Sequence, residues 1–392
     1  MHIVMVTAFF TDNSYTPLSG MPRYVYKISD LLQQCGHQVE IVAGSTNNRK
    51  WVYKGVKVYN AQWHGTMYGP KKDVAADIFR REFAIQKVLH EIDKKETIDI
   101  VQYAGWSGVG FLHSLKCPSV LRLSTYSKVQ YNQSEVFKKN VEIYSFWERM
   151  SGRRADGVIA PGELLGREFE KDISRKVTIM ETPFSNNVKE TQSFYEANLK
   201  NMEYMMFYGM ASKDKGFETI GDMLVKFFAV NSEMNFVFAG WDVKTGDESA
   251  VQKLKGKLGK NAERVIYLGI IPQEQLYPVI RHSEFVLVPS LIDNLPNACL
   301  EALSLDKIVI GTYNTSLEQM ICDGENGFLT FPGDSDSLYE AVIKASSLSE
   351  DQKQQMSEKN KIIMKKYAPE VAVKKLENYY NMLIKNRRCR SI

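Results

Sequence analysis

Short apolar segments alternate with amphipathic segments along most of the chain. In the first half, apolar runs predict strands near residues 2–7, 39–43, 99–103, 119–123, 157–160 and 177–180. Helical periodicity between the strands is clearest at 22–35, 73–95 and 134–153. Strands that alternate with helices are typical of a parallel sheet with helices on its faces, so the pattern predicts an α/β fold.

The alternation stops after Pro183 and then begins again. The polar segment SNNVKETQSFYEANLKN has no apolar periodicity, and we interpret it as a linker. The strands predicted after it are YMMFYG, NFVFAG, RVIYLG, FVLVPS and KIVIG, and a long final helix is predicted at roughly 368–386. The chain therefore reads as two Rossmann-like halves.

Two acidic residues eight positions apart, Asp293 and Glu301, carry the strongest functional signal. They lie in VLVPSLIDNLPNACLEA, where an apolar strand stops and a helix is predicted to begin near residues 294–296. Ligands of open parallel sheets bind beyond the carboxyl ends of strands, and helix N-termini attract anions there. We expect Glu301 two turns inside the helix, on the face directed at the ligand. A carboxylate in that position can accept hydrogen bonds from the vicinal hydroxyls of a sugar or a ribose.

This spacing of acids after a PS strand end resembles the donor-site motif of retaining glycosyltransferases of family 4 (glycosyl transferases group 1). Three further segments resemble the same family, in the same order along the chain: SGMPRYVYKISDLLQQCGHQVEIVAG, FYGMASKDKGFETI and KIVIGTYNTSLEQMICDGENGFLTFPGD. Together these segments cover most of the chain.

The resemblance implies a GT-B fold, in which two Rossmann-like α/β domains face a central cleft. An acceptor-side domain is then expected at 1–184, a nucleotide-sugar donor domain at 200–366, and a helix at 367–392 that crosses back to the first domain. The implied activity is that of a hexosyltransferase. It moves a sugar, with retention, from a nucleotide-diphosphate donor to a hydroxyl of a glycan or lipid-linked acceptor, in bacterial surface polysaccharide or glycoconjugate synthesis.

The resemblance also implies roles for individual residues. Glu301 holds the ribose hydroxyls, Asp293 and the backbone of 294–297 hold the donor sugar, and Lys215 offsets charge on the leaving diphosphate. The expected catalytic residues are Asp293, Glu301 and Lys215. The expected donor-binding residues are Gly20, Lys213, Lys215, Asn294, Leu295, Pro296, Asn297 and Glu301. Acceptor contacts are expected at the strand ends Asp12, Trp106 and Ser124.

The sequence departs from the family pattern at two positions. The family's phosphate-binding Arg is expected directly after Gly209, where this chain has Met210. Many members carry a His that contacts the donor sugar where this chain has Ser124. Lys213, or the helix amides after Asn294, can supply the missing positive charge. Two alternatives stay open: a nucleotide-sugar epimerase or hydrolase on the same fold, and a catalytically degenerate sugar-binding subunit.

Composition narrows the expected partners. A net charge of +4 over 392 residues is too small to indicate a nucleic-acid-binding protein. The five cysteines are scattered without the spacing of a zinc site or a disulfide framework, which suits the cytoplasm. No apolar run reaches the roughly 20 residues that cross a bilayer.

Two charged segments near the C-terminal end have competing interpretations. The tail KNRRCR can contact anionic lipid headgroups at the inner face of a membrane, although a solvated tail is the simpler interpretation. The pair Asp334 and Asp336 resembles a metal-binding motif, but its turn context favours helix capping. The histidines show no metal-ligand spacing. We expect no cofactor and metal-independent activity.

Overall fold

The computed structural model describes residues 1–10, 20–65, 71–130, 140–245, 248–292 and 296–390. These residues form two compact units. The first unit is Met1–Pro183 together with Ala368–Ile392, and the second is Phe184–Tyr367. No helix within the described ranges is both long and apolar enough to span a bilayer.

The first unit is built on an eight-stranded sheet of order β3-β4-β2-β1-β5-β6-β7-β8. All neighbouring strands are parallel except β3 and β4, which form an antiparallel pair. Strands β1 and β5 are buried along their whole lengths because helices cover the sheet on its faces. The strands are β1 His2–Thr7, β2 Gln38–Ser45, β3 Lys50–Tyr53, β4 Val56–Gln62, β5 Ile100–Gly105, β6 Ser119–Leu123, β7 Gly157–Ala160 and β8 Thr178–Ile179.

The C-terminal helix, Pro369–Arg390, packs on this first unit. The buried Tyr380 hydroxyl donates a hydrogen bond of 2.6 Å to the Gln102 side chain in β5. Arg387 forms an ion pair with Asp156 at 2.6 Å, so one cation of the KNRRCR segment holds the fold together. The segment thus belongs to a helix as far as Arg390 and is not a separate tail. The other helices of the unit are α1 Gly20–Gln34, α2 Lys71–Asp93, α3 Ser127–Gln130, α4 Val141–Arg154 and α5 Glu163–Ile173.

The second unit contains a six-stranded parallel sheet of order β13-β10-β9-β14-β15-β16. In chain order this is the 3-2-1-4-5-6 arrangement of the Rossmann fold. A small antiparallel pair, β11 and β12, lies outside the sheet. The strands are β9 Tyr204–Met210, β10 Asn235–Trp241, β11 Lys244–Thr245, β12 Glu248–Ser249, β13 Val265–Tyr267, β14 Phe285–Leu287, β15 Ile308–Thr312 and β16 Gly327–Thr330.

Helices cover both faces of this second sheet, and apolar residues on both faces form two separate core clusters. Asp334 is the N-cap of α11, where its carboxylate accepts hydrogen bonds from the amides of residues 336 and 337. The capping interpretation is therefore confirmed for Asp334, while the Asp336 carboxylate pairs with Lys226. The helices are α6 Ser193–Asn198, α7 Phe217–Val230, α8 Ala250–Leu258, α9 Gln273–Arg281, α10 Asn297–Ser304, α11 Ser335–Ser346 and α12 Glu350–Met364.

The prediction of two Rossmann-like α/β domains is confirmed, whereas the predicted linker is wrong. The segment that begins at Phe184 belongs to the second unit, which extends to Tyr367. The Phe184 amide donates to the Tyr367 carbonyl at 2.7 Å, Glu190 pairs with Arg281 at 2.6 Å, and Leu199 is fully buried. Isolated apolar residues anchor an otherwise polar surface segment, and such anchors leave no periodic pattern in the sequence.

Candidate functional site

The chain order of the second sheet places a crevice between β9 and β14. These two strands are neighbours, with Val286 paired to Met206, and the chain leaves them toward opposite halves of the sheet. Such a switch point leaves a gap beyond the carboxyl ends of the two strands, where ligands of open α/β sheets bind. The predicted donor-site residues of the second half follow these two strands.

The turn after β9 carries the two predicted lysines. Lys213–Lys215 form a single 3₁₀ turn, in which Lys213 is exposed and Lys215 is half-buried. Gly216 follows with φ at +74°, a left-handed conformation that disfavours side chains. Helix α7 then begins at Phe217.

Gly216 also brings this turn into contact with the loop after β14. A Cβ atom on Gly216 would lie 2.0 Å from the carbonyl oxygen of Pro289. The Leu291 amide donates a hydrogen bond of 2.8 Å to the Asp214 carbonyl. The lysine turn is therefore held directly against the loop that leads to helix α10.

Helix α10 begins later than the sequence predicted. Pro296 is its N-cap with an extended backbone, and Asn297 is its first residue. Glu301 is therefore one turn inside the helix and not two. Of the other residues predicted here, Asp293, Asn294 and Leu295 lie outside the described residues.

Glu301 is more enclosed than expected for a residue that faces a ligand. Its side chain is only 8% exposed, and Oε1 accepts a hydrogen bond of 2.9 Å from Gln273 Nε2 at the start of α9. The Tyr208 hydroxyl at the end of β9 donates to the Ala298 carbonyl at 2.6 Å and ties α10 to the strand. Burial, followed by the nearby Glu301 charge, raises the pKa of Tyr208 well above its usual range. Tyr208 therefore stays a neutral hydrogen-bond donor.

Gln273 and Tyr208 were missed by the sequence analysis. Gln273 follows Pro272, the N-cap of α9, and the sequence around it shows no acid or base pattern. Tyr208 belongs to an apolar strand segment and has the appearance of a core residue. Only the fold brings Gln273 to the carboxylate of Glu301 and Tyr208 to the first turn of the same helix.

Together these groups suit a phosphorylated sugar. The amides of the first turn of α10 and the two lysines provide positive charge for phosphate oxygens. The carboxylate of Glu301, oriented by Gln273, provides acceptors for hydroxyl groups. Met210, at the position where the family has Arg, is 47% exposed at the end of β9.

In the first unit, the residues predicted for acceptor contact lie at the ends of neighbouring strands. Trp106 follows β5 and packs edge-on against Phe9, which follows β1, with ring centroids 6.1 Å apart. Ser124 follows β6, and its hydroxyl accepts a hydrogen bond of 3.2 Å from Arg122. Gly20 is the first residue of α1. Asp12 lies outside the described residues.

Two buried charged residues support this strand edge, and the sequence analysis missed both. Glu148 in α4 accepts hydrogen bonds from the Ser107 amide at 3.1 Å and from the Ser127 hydroxyl at 2.7 Å, joining the loops after β5 and β6. Burial raises the pKa of Glu148 to about 7. Arg81 in α2 donates to the Ser107 hydroxyl and carbonyl, each at 2.8 Å. The sequence did contain a signal for Glu148: it is a charged residue on an apolar helix face, one turn after the buried Tyr144.

The described residues contain no group of three or more His, Cys, Asp or Glu side chains that could hold a metal ion. All five cysteines are free thiols.

Two family models match the chain, one in each unit. The model of glycosyl transferases group 1 matches residues 188–363, and the model of Glycosyltransferase Family 4 matches residues 18–183. An uncharacterized glycosyltransferase of Methanocaldococcus jannaschii is 20% identical over 303 residues, which cover 76% of this chain and 79% of that protein.

Solved structures share the architecture over nearly the whole chain. Sucrose-phosphate synthase from Thermosynechococcus elongatus is 14% identical with a TM-score of 0.79, covering 98% of this chain and all of that one. HepE from Anabaena in complex with UDP is 15% identical with a TM-score of 0.72, covering 97% of this chain and all of that one. HepE in complex with UDP-glucose has a TM-score of 0.69 at the same identity and coverage.

Proposed function

Because the chain is a glycosyltransferase of the GT-B type, we propose that it is a retaining hexosyltransferase of family 4 that uses a nucleotide-diphosphate sugar. It transfers the sugar to a hydroxyl group of a glycan or lipid-linked acceptor, in the synthesis of a bacterial surface polysaccharide or glycoconjugate.

One observation carries the donor assignment. The lysine turn at 213–215 is locked against the loop after β14, at the switch point of the second sheet, beside the helix that presents Glu301. Positive charge and a carboxylate that can bind hydroxyl groups thus lie on adjoining segments at one switch point of the sheet.

The roles of the residues follow from their chemistry. Glu301 accepts hydrogen bonds from the ribose hydroxyls, and Gln273 holds its carboxylate in place. The α10 amides and Lys213 bind the diphosphate, and Lys215 stabilises the charge that grows on it as the bond to the sugar breaks. Asp293 and the backbone of 294–297 hold the sugar itself.

Uridine diphosphate sugars are the first donors to test. HepE has been crystallised with UDP and with UDP-glucose, and its likeness to this chain supports the same donor class. Trp106 and Ser124 are the proposed acceptor contacts, with Gly20 near a phosphate or acceptor group.

The test is a panel of nucleotide sugars in two assays. Binding of the correct donor raises the unfolding temperature by mass action, and turnover with and without acceptor identifies the reaction. Transfer only when acceptor is present supports a transferase. Turnover in water alone would point to the hydrolase or epimerase, and binding without any turnover would point to the degenerate sugar-binding subunit.

A further inference from the structure

Three phenylalanines of the first unit are exposed next to one another. Phe79 and Phe83 lie one turn apart on α2 and are 44% and 73% exposed, and Phe146 on α4 is 46% exposed. The ring of Trp147 lies 4.8 Å from that of Phe79 and 5.0 Å from that of Phe146, and so joins the two helices. A contiguous apolar surface of this kind marks an interaction site, whereas single exposed apolar residues do not.

Cations surround these aromatic side chains on the outer helix faces. On α2, the exposed Lys87 lies about 40° around the helix axis from Phe83, whereas the exposed acids Asp73 and Glu91 each lie about 80° from Phe83 and about 120° from Phe79. On α4, Arg149, Met150 and Arg153 follow Phe146 at helical spacing; the first two are half-buried and Arg153 is exposed. Glu142 is the one acidic residue among these outward-facing positions. Aromatic residues with flanking Lys and Arg suit a membrane interface that carries anionic headgroups.

The aromatic surface continues inward to a proposed acceptor contact. Trp106 and Trp147 pack against the same buried cluster, formed by Val74, Ile78, Phe111 and Tyr144. Trp106 stacks on Tyr144 with ring centroids 6.4 Å apart. One shared layer of buried side chains therefore separates Trp106 from the exposed aromatic surface.

We propose that the surface formed by Phe79, Phe83, Phe146 and Trp147, with Lys87 and Arg153, docks on a bilayer rich in anionic lipids. The inference rests on the proposed function, since a lipid-linked acceptor has to be reached from the membrane surface. The docked orientation brings the acceptor end of the first unit to the headgroups, where the lipid-linked hydroxyl is presented. The rings insert at headgroup depth, and the cations contact phosphate groups.

Vesicle flotation of the full chain tests the surface. Vesicles of phosphatidylcholine with phosphatidylglycerol are compared with phosphatidylcholine alone. We expect binding to the anionic vesicles, a loss of about tenfold or more in Phe83→Ser/Phe146→Ser, and a loss of about tenfold in Lys87→Glu. The matched controls are Phe331→Ser, whose side chain is 60% exposed in the second unit, and Lys366→Glu, and both should bind as the native chain does.

Several results would overturn the proposal. The first is that the native chain does not bind anionic vesicles. The second is that the double variant binds as well as the native chain while thermal unfolding shows that it is folded. The third is that sedimentation velocity detects a dimer that Phe83→Ser dissociates. The last result would assign the surface to a second copy of the chain. Nucleotide-sugar turnover is measured separately. If the protein turns over a nucleotide sugar but does not bind vesicles, only the docking surface is contradicted. If it binds vesicles in a Phe83-dependent way but shows no turnover, the docking surface is supported and the proposed reaction is contradicted.

Discussion

Replacing Gly216 by Ala tests whether the contact between the two donor loops matters. The new Cβ would lie 2.0 Å from the Pro289 carbonyl oxygen, in a backbone conformation with φ at +74°. Gly324 is a matched control in the same unit, because its φ is +73° and a Cβ there meets nothing within 4 Å. Both variants carry the same conformational penalty, and only one carries the collision.

The structure sets the expected difference. The left-handed conformation of Ala costs about 1 to 2 kcal/mol in either variant. At Gly216, the Cβ and the carbonyl oxygen must also separate by about 1 Å, since real Cβ contacts essentially never fall below 3.0 Å. That shift breaks the hydrogen bond from Leu291 to Asp214, which contributes about 1 kcal/mol. We expect Gly216→Ala to lose about 2 to 4 kcal/mol of unfolding free energy and Gly324→Ala about 1 to 2.

Donor affinity separates the two variants further. A displacement of about 1 Å in a binding loop is enough to misplace the lysine turn, so nucleotide-diphosphate affinity should fall about tenfold or more in Gly216→Ala. The Gly324→Ala protein should bind with native affinity. Urea unfolding and isothermal titration calorimetry with UDP measure the two quantities. Equal unfolding energies and equal affinities in both variants would refute the structural role given to Gly216.

Glu301→Gln should lower kcat/KM by the equivalent of about 2 to 4 kcal/mol of transition-state stabilisation, with little change in unfolding temperature. The control is Glu274→Gln, which is exposed on α9 and should have native kinetics. Near-native turnover by Glu301→Gln would contradict the donor role of this residue. Turnover should survive EDTA, because lysines and a helix terminus supply the positive charge, and loss of activity restored by magnesium or manganese would contradict this. The Glu40 carboxylate, 3.4 Å from His2, raises the pKa of the His2 imidazole above its ordinary 6.5. The ion pair therefore contributes fully to the unfolding free energy below pH 6.5, and this contribution is lost as the pH rises through the pKa that His2 has in the folded protein. In urea titrations across this pH range, Glu40→Gln should not show that loss of unfolding free energy. An identical pH profile in the variant and the native chain would show that the pair does not contribute.

The sequence predicted the sheets well because apolar runs dominate their central strands. Strands β1, β6 and β7 match the expected positions, and in the second half so do the five predicted strands. The edge strand β3 and its neighbour β4 were missed; β3 has only four residues, Lys50–Tyr53, which alternate between exposed and half-buried positions. The helix α5, Glu163–Ile173, lies between two predicted strands, where a helix was expected without stated bounds, and its buried residues recur at helical spacing.

The site residues stay a prediction, and the sequence did not reveal the surroundings in which the structure places them. The family resemblance selected Lys213, Lys215 and Glu301, and the structure places them after β9 and β14, two neighbouring strands of the second sheet. The start of α10 moved because Pro296 takes an extended conformation and cannot serve as a helical residue there. The burial of Glu301 against Gln273 depends on two segments 28 residues apart in sequence, and no local pattern encodes that contact.

Hydrogen exchange with and without saturating UDP tests the central claim most directly, because it reports where the nucleotide diphosphate binds. The account predicts slower exchange for the amides of 211–217 and of the first turn of α10, since these backbone groups lie at the switch point of the second sheet. Protection confined to residues 1–183, or no protection at any UDP concentration while an accepted nucleotide sugar is still turned over, would contradict the donor site proposed for this chain.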